Sequence, residues 1–281
     1  MKRKNILTLT AATFAMIGAG TIFFNAMAET ALAARAGQWE TAPTRYQVSA
    51  SPTAVLPDFE EMDQKVNYHV SMNKLNTGTP TDMDLTMEEA AEIGAQYLKD
   101  FFDLDMEGAY VYMMYNPGTV TFPQPFWSGV VLYEKEQTPE STKWGYMVDA
   151  MTGELFNVTH DRHLDATPSL SLDSALEKNY DIYAEMAEEI AVEHKLLSGS
   201  VDRVEYNCQG YSGNDPTIAV DVIGENGESI NMSFSRYDQK FLGLGTDTSR
   251  RISESALENI LENISEGDGD VISGIYQKIV E

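Results

Sequence analysis

The residues of this chain that could do chemistry are few and scattered. His160 and His163 stand three apart in the run HDRH, with Asp161 and Asp165 beside them. Two imidazoles at that spacing can share a metal when they sit on a helix, but a metal site needs further ligands, and the neighbouring residues identify none. The run follows a strand-like segment and leads into Ala166-Thr167-Pro168, so it belongs to a connecting segment. His194 falls late in a helical stretch, where an imidazole complements the C-terminal dipole. Cys208 is the single cysteine. It rules out an internal disulfide and cysteine-based zinc motifs, and in VDRVEYNC it reads as a small buried hydrophobe. The run EGDGD offers carboxylates to calcium but lacks the ligand spacing of an EF-hand loop. There is no HExxH, no GxSxG and no phosphate-binding glycine loop. The expectation is therefore no catalytic residue, no cofactor and no metal.

What remains is recognition. Phe122 and Phe126 lie in TFPQPFWSG, a proline-stiffened loop that can present aromatic rings. Leu257 and Leu261 fall on one face of an amphipathic stretch near the C-terminus. These four are the candidate partner-binding residues. The formal net charge of −25, with no basic stripe, excludes nucleic acid as a partner.

The elements that must position these residues begin after an export signal. Lys2, Arg3 and Lys4 precede an uncharged stretch from Ile6 to Phe24, followed by Ala26-Met27-Ala28. That order is a signal peptide, with cleavage after Ala28 favoured over retention as an uncleaved anchor. Either outcome places the working part outside the cytoplasm, with membrane contact only through this segment if it is kept. Residues 29–82 read as a flexible linker rich in Thr, Ser, Pro and Asn. Within it VNYHVSMNKL forms a strand or a short helix, with His69 at the surface.

From residue 83 the periodicity changes. LTMEEAAEIGAQYLKDFF is a helix opened by a capping box of Thr86 and Glu89, with Ala90, Gly94, Tyr97, Leu98 and Phe101 on one face. Strands AYVYMMY, FWSGVVLY, WGYMV and LFNV follow, the last two joined by a turn in which Gly153 takes a positive φ. The order recurs: a longer helix from Ser174, capped with Glu177, then VDRVEYNC, TIAVDVIG, SINMSF and FLGL, with an Asn226-Gly227 hairpin turn. Trp144, Tyr146 and Val148 alternate as Ile230, Met232 and Phe234 do 86 residues later, and Val158 maps to Leu244 at the same step. A register slip would send a whole apolar set into water, so matched alternation points to a duplicated unit.

The opening LTMEEA and the hairpin YMVDAMTGELFNV resemble the PepSY-type domain, over Leu85 to Thr159 by motif and Leu172 to Thr246 by pattern alone. The resemblance implies an extracytoplasmic, non-catalytic module of the kind found in protease propeptides and envelope proteins. The expected fold is α+β: two tandem units, 83–165 and 166–250, each one helix on an antiparallel sheet of about four strands, then an amphipathic helical tail, 251–281. In the tail Ser253 caps a first short helix, and Ile272 to Ile279 form a second. The expected function is an exported module that binds or restrains an envelope protein such as a protease. A membrane-held extracytoplasmic sensor is the alternative, and a metal-assisted enzyme using His160 and His163 is the third reading.

Overall fold

This computed structural model describes residues 40–41, 67–74, 76, 78–135, 138 and 140–266, with side chains described from 67 to 258. The leader, the linker between 42 and 66, the side chain of Leu261 and the second tail helix lie outside these residues. Among the described residues no helix is long and apolar enough to cross a membrane.

Two short strands come first, β1 (Glu40–Thr41) and β2 (His69–Met72). The expected linker therefore gives way to sheet well before residue 82. Tyr68 and Val70 are buried, and the Tyr68 hydroxyl donates to the buried carboxylate of Glu92 at 2.8 Å. Helix α1 (Met87–Phe102) starts with the expected capping box. Thr86 Oγ1 accepts the Glu89 N–H at 3.2 Å, and the Glu89 carboxylate accepts the Thr86 N–H at 2.9 Å. A meander follows: β3 (Tyr110–Asn116), β4 (Phe126–Leu132), β5 (Lys143–Asp149) and β6 (Leu155–Asp161).

Helix α2 (Asp181–Glu193) begins seven residues later than Ser174, and Tyr180 at its N-cap makes no side-chain cap bond. The expected box with Glu177 does not form. Asp173 turns the chain instead, its Oδ1 accepting the Ala175 N–H at 2.9 Å, while Gln209 clamps both backbone groups of Asp173. Short polar side chains compete with helix in this way. The second meander is β7 (Val201–Ser212), β8 (Asp215–Gly224), β9 (Ser229–Ser235) and β10 (Phe241–Gly245). Helix α3 (Asp247–Glu266) starts directly after β10, so Ser253 is inside the helix rather than at its cap, its hydroxyl donating to the Ser249 carbonyl.

All ten strands form one mixed sheet in the order β1-β2-β3-β4-β5-β6-β10-β9-β8-β7. Among the described residues only β2–β3 is parallel. The separate sheets expected for two units are thus merged, because β6 and β10 pair antiparallel with Val158 opposite Leu244. The β5–β6 ladder slips between Met147 and Val148, and the β9–β10 ladder slips between Ser233 and Phe234, 86 residues on.

One face of the sheet carries both helices. Alternation puts Val111, Met113, Trp127, Tyr146, Val148 and Val158 under α1, and Ile218, Val220, Val222, Met232 and Phe234 under α2, in one continuous core. The two helices meet at their C-terminal ends, where His194 Nδ1 lies 3.0 Å from Asp100 Oδ2 and Phe101 packs on Phe241. Under α1 the Tyr146 ring occupies space that only glycines leave. A Cβ at Gly94 would stand 2.0 Å from it, and one at Gly129 2.2 Å.

Candidate binding edge and its polar face

β7 is the last strand of the sheet and pairs with β8 alone among the described residues. It is twelve residues long, with Asp202, Arg203, Glu205 and Tyr211 exposed. Period-two alternation decides what its neighbours show to each face. On β8 the even-numbered Ile218, Val220 and Val222 go to α2, so Ala219, Asp221 and Ile223 go to the other side. There Asp221 lies opposite Glu205 on one side and Asn231 on the other. The result is a depression of about 660 Å³ whose lining includes Glu205, Asn207, Cys208, Asp221, Ser229 and Arg250.

At its floor the Asp221 carboxylate accepts two amide N–H groups, from Asn207 Nδ2 and Asn231 Nδ2, each at 2.7 Å. Burial raises its pKa against these hydrogen bonds, with the Glu205 charge adding to the rise. An acceptor held this way suits a cation or an N–H donor. Burial, then the Asp221 charge, pushes the Cys208 thiol up, away from a nucleophilic thiolate. Arg250, reaching in from α3, is spent on Asp247 and on Glu254, the latter at 2.6 Å. Burial opposes its charge, but those hydrogen bonds outweigh it, and its pKa is raised. On the rim Arg203 bridges Asp202 and Glu205.

The HDRH residues are not gathered into a site. His160 is half-buried between the meanders, stacked on Trp144 with centroids 4.8 Å apart and edge-on to Phe102. Burial, then Arg162 and Lys240, lowers its pKa to about 4. His163 has left the sheet, its Nε2 3.4 Å from Asn214 Nδ2. Between them, Asp161 is buried and accepts the Ser212 hydroxyl at 2.7 Å, and Arg162 ties the junction together. Its Nε donates to Asp215 at 2.7 Å and its two terminal nitrogens to Asp238 at 2.8 and 2.5 Å. This pairing, chiefly the hydrogen bonds from Arg162, lowers the Asp238 pKa to about 2. Among the described residues no three His, Cys, Asp or Glu groups converge as metal ligands.

Phe122 and Phe126 form a half-buried T-shaped pair with centroids 5.5 Å apart, and Phe122 also packs on the buried Phe156. They make a small aromatic cluster away from β7, and Leu257 is half-buried on α3. His69, expected at the surface, stacks on Tyr110 with centroids 5.0 Å apart. The residues missed by sequence reading are Asn207, Asp221 and Asn231. One signal was there to see: Asp221 is the only charge in TIAVDVIG.

No family model matches the chain, and no curated protein does. Among solved structures it is similar to the Bacillus megaterium YpeB C-terminal domain, at 12% identity and a TM-score of 0.38. The match spans 59% of this chain and 65% of that one.

Proposed function

We propose that the chain is an exported, non-catalytic docking module built from two PepSY-like units, 83–165 and 166–250, and that it holds or restrains an extracytoplasmic protein, such as a protease. The duplication is supported by the ladders: equivalent strands pair in equivalent order, and the two closing hairpins slip register at positions 86 residues apart. Docking is carried by one observation, the open β7 edge beside a polar depression with a carboxylate at its floor. His160 and Arg162 are engaged in the fold, and burial disfavours the Cys208 thiolate, which supports the non-catalytic part of this reading.

The test is a protease assay. The chain starting at Glu29, added at micromolar concentration, slows cleavage by an envelope peptidase from the same source. Unchanged rates across a panel of such peptidases overturn the restraining role.

A further inference from the structure

The two halves also match in which positions are buried beyond their closing hairpins, and they part company at one edge. Val111 of β3 faces Val131 of β4, and Val204 of β7 faces Val222 of β8. From Val111 to Val204 is a step of 93. The same step carries the buried Ala90, Gly94 and Leu98 of α1 onto the buried Tyr183, Ala187 and Ala191 of α2.

On this correspondence β3 and β7 are the same strand, yet their outer edges differ. Along β3 runs β2, parallel, with His69, Val70, Ser71 and Met72 opposite Tyr110, Val111, Tyr112 and Met113. Just before it, Tyr68 passes under α1 and donates to Glu92, which is only 7% exposed. Along β7 no strand runs among the described residues. Glu185, the counterpart of Glu92 at the step of 93, is exposed on α2. The residues ahead of α2 that hold the chain position of β2 are tied down elsewhere, the Leu164 N–H and carbonyl both bonded to the Asn214 side chain at 2.8 and 2.7 Å.

We infer that the outer edge of β7 receives an extended segment of a partner protein, running parallel to β7 as β2 runs along β3. It would carry an aromatic hydroxyl at the position that reaches Glu185 and a basic residue across from Glu205. This rests on the docking reading and names its surface. The occupant follows from charge. The position that Ser71 holds against Tyr112 falls against Glu205, whose side chain shares its face with Asp221; Arg203 pairs with Asp202 and Glu205, but with Arg250 spent on Asp247 and Glu254, the three carboxylates Asp202, Glu205 and Asp221 still outnumber it. A second copy of a chain with net charge −25 would bring like charge to this edge. Strand addition supplies affinity through the main chain, and the alternate side chains supply choice.

The probe is a fluorescein-labelled peptide of residues 67–74 with Ser71→Lys, titrated by anisotropy against the chain starting at Glu29. Its counterpart carries Ser71→Glu. The lysine peptide binds roughly threefold or more tighter, as expected for one cross-strand charge pair made against one opposed. Glu205→Lys, an exposed change that leaves the fold alone, inverts that order, and Glu185→Gln weakens both peptides. Amide exchange slows at 201–206 when peptide is present. Equal affinities untouched by Glu205→Lys, absence of binding, or protection at β2–β3 or the Phe122 cluster instead overturns the inference. So does protection of 201–206 that rises with protein concentration alone, which makes a second copy the occupant. A peptidase still restrained in full by the Glu205→Lys chain leaves docking standing and removes β7 as its surface. A bound peptide with no peptidase slowed does the reverse.

Discussion

The layer between helix and sheet is built differently in the two halves. In the first, Tyr146 fills the gap between Gly94 of α1 and Gly129 of β4, its hydroxyl 2.9 Å from Met113 Sδ. In the second, the corresponding positions hold Ala187, Val220 and Met232, all buried. One large ring between two hydrogens has become a flexible thioether between a methyl and an isopropyl group. The backbone registers are kept while the volume is redistributed, which is how cores tolerate change. The fold therefore depends on total volume and alternation, and not on the identity of any one of the six residues.

That comparison can be broken most severely at Gly129. Gly129→Val should lower unfolding stability by about 3 kcal/mol or more, because the new side chain starts inside the Tyr146 ring. Denaturant titration would read this. Adding Gly94→Ala and Tyr146→Met, which gives the first layer the second layer's composition, should recover most of the loss. A second contrast is the Arg162–Asp215–Asp238 ion-pair cluster where the halves join, which buries the Asp215 carboxylate. Arg162→Met leaves Asp215, whose side chain is 1% exposed, without its cation and with the Ser235 hydroxyl as its side-chain donor, and should cost about 3 kcal/mol in the same assay.

The junction also sets an acid response. His160 has a folded pKa of about 4 against an ordinary 6.5, so the unfolded chain takes up the proton first. Its contribution is constant above pH 6.5 and is lost as pH falls from there towards 4, by roughly 1–3 kcal/mol. His160→Phe should flatten the stability profile across that window; an unchanged slope would place the sensitivity elsewhere. The smallest effect separates the helices. Thr86→Ala removes a cap that α2 lacks and should cost about 1 kcal/mol. Thermal melts resolve it.

The strands were legible in two ways: from Val111 to Tyr115 as a short run of aromatic, β-branched and Met residues between turn signals, and from Ile230 to Phe234 as strict alternation of apolar with polar residues. The start of α2 was not, because the Gln209 clamp on Asp173 comes from a strand 36 residues away in sequence. β2 was half legible: VNYHVSMNKL reads as a strand or a short helix, and the choice between them is made by β3 and α1, which follow it. His160 and His163 looked like a pair, but three residues along an extended chain point to opposite faces, and His163 is already past the strand end. The edge site was least legible. Asp221 stands out as a charge in an apolar run, but only the sheet order shows that its face is open.

At the seam Gly243 takes φ +148, and a Cβ there would lie 2.2 Å from the Val158 carbonyl oxygen. Its counterpart in the first hairpin, 86 residues earlier, is Asn157. Exchanging the two hairpins would drive an amide side chain into a gap that admits a single hydrogen. On the proposed duplication the two halves are handed to one another, and each fits only its own side of the midline.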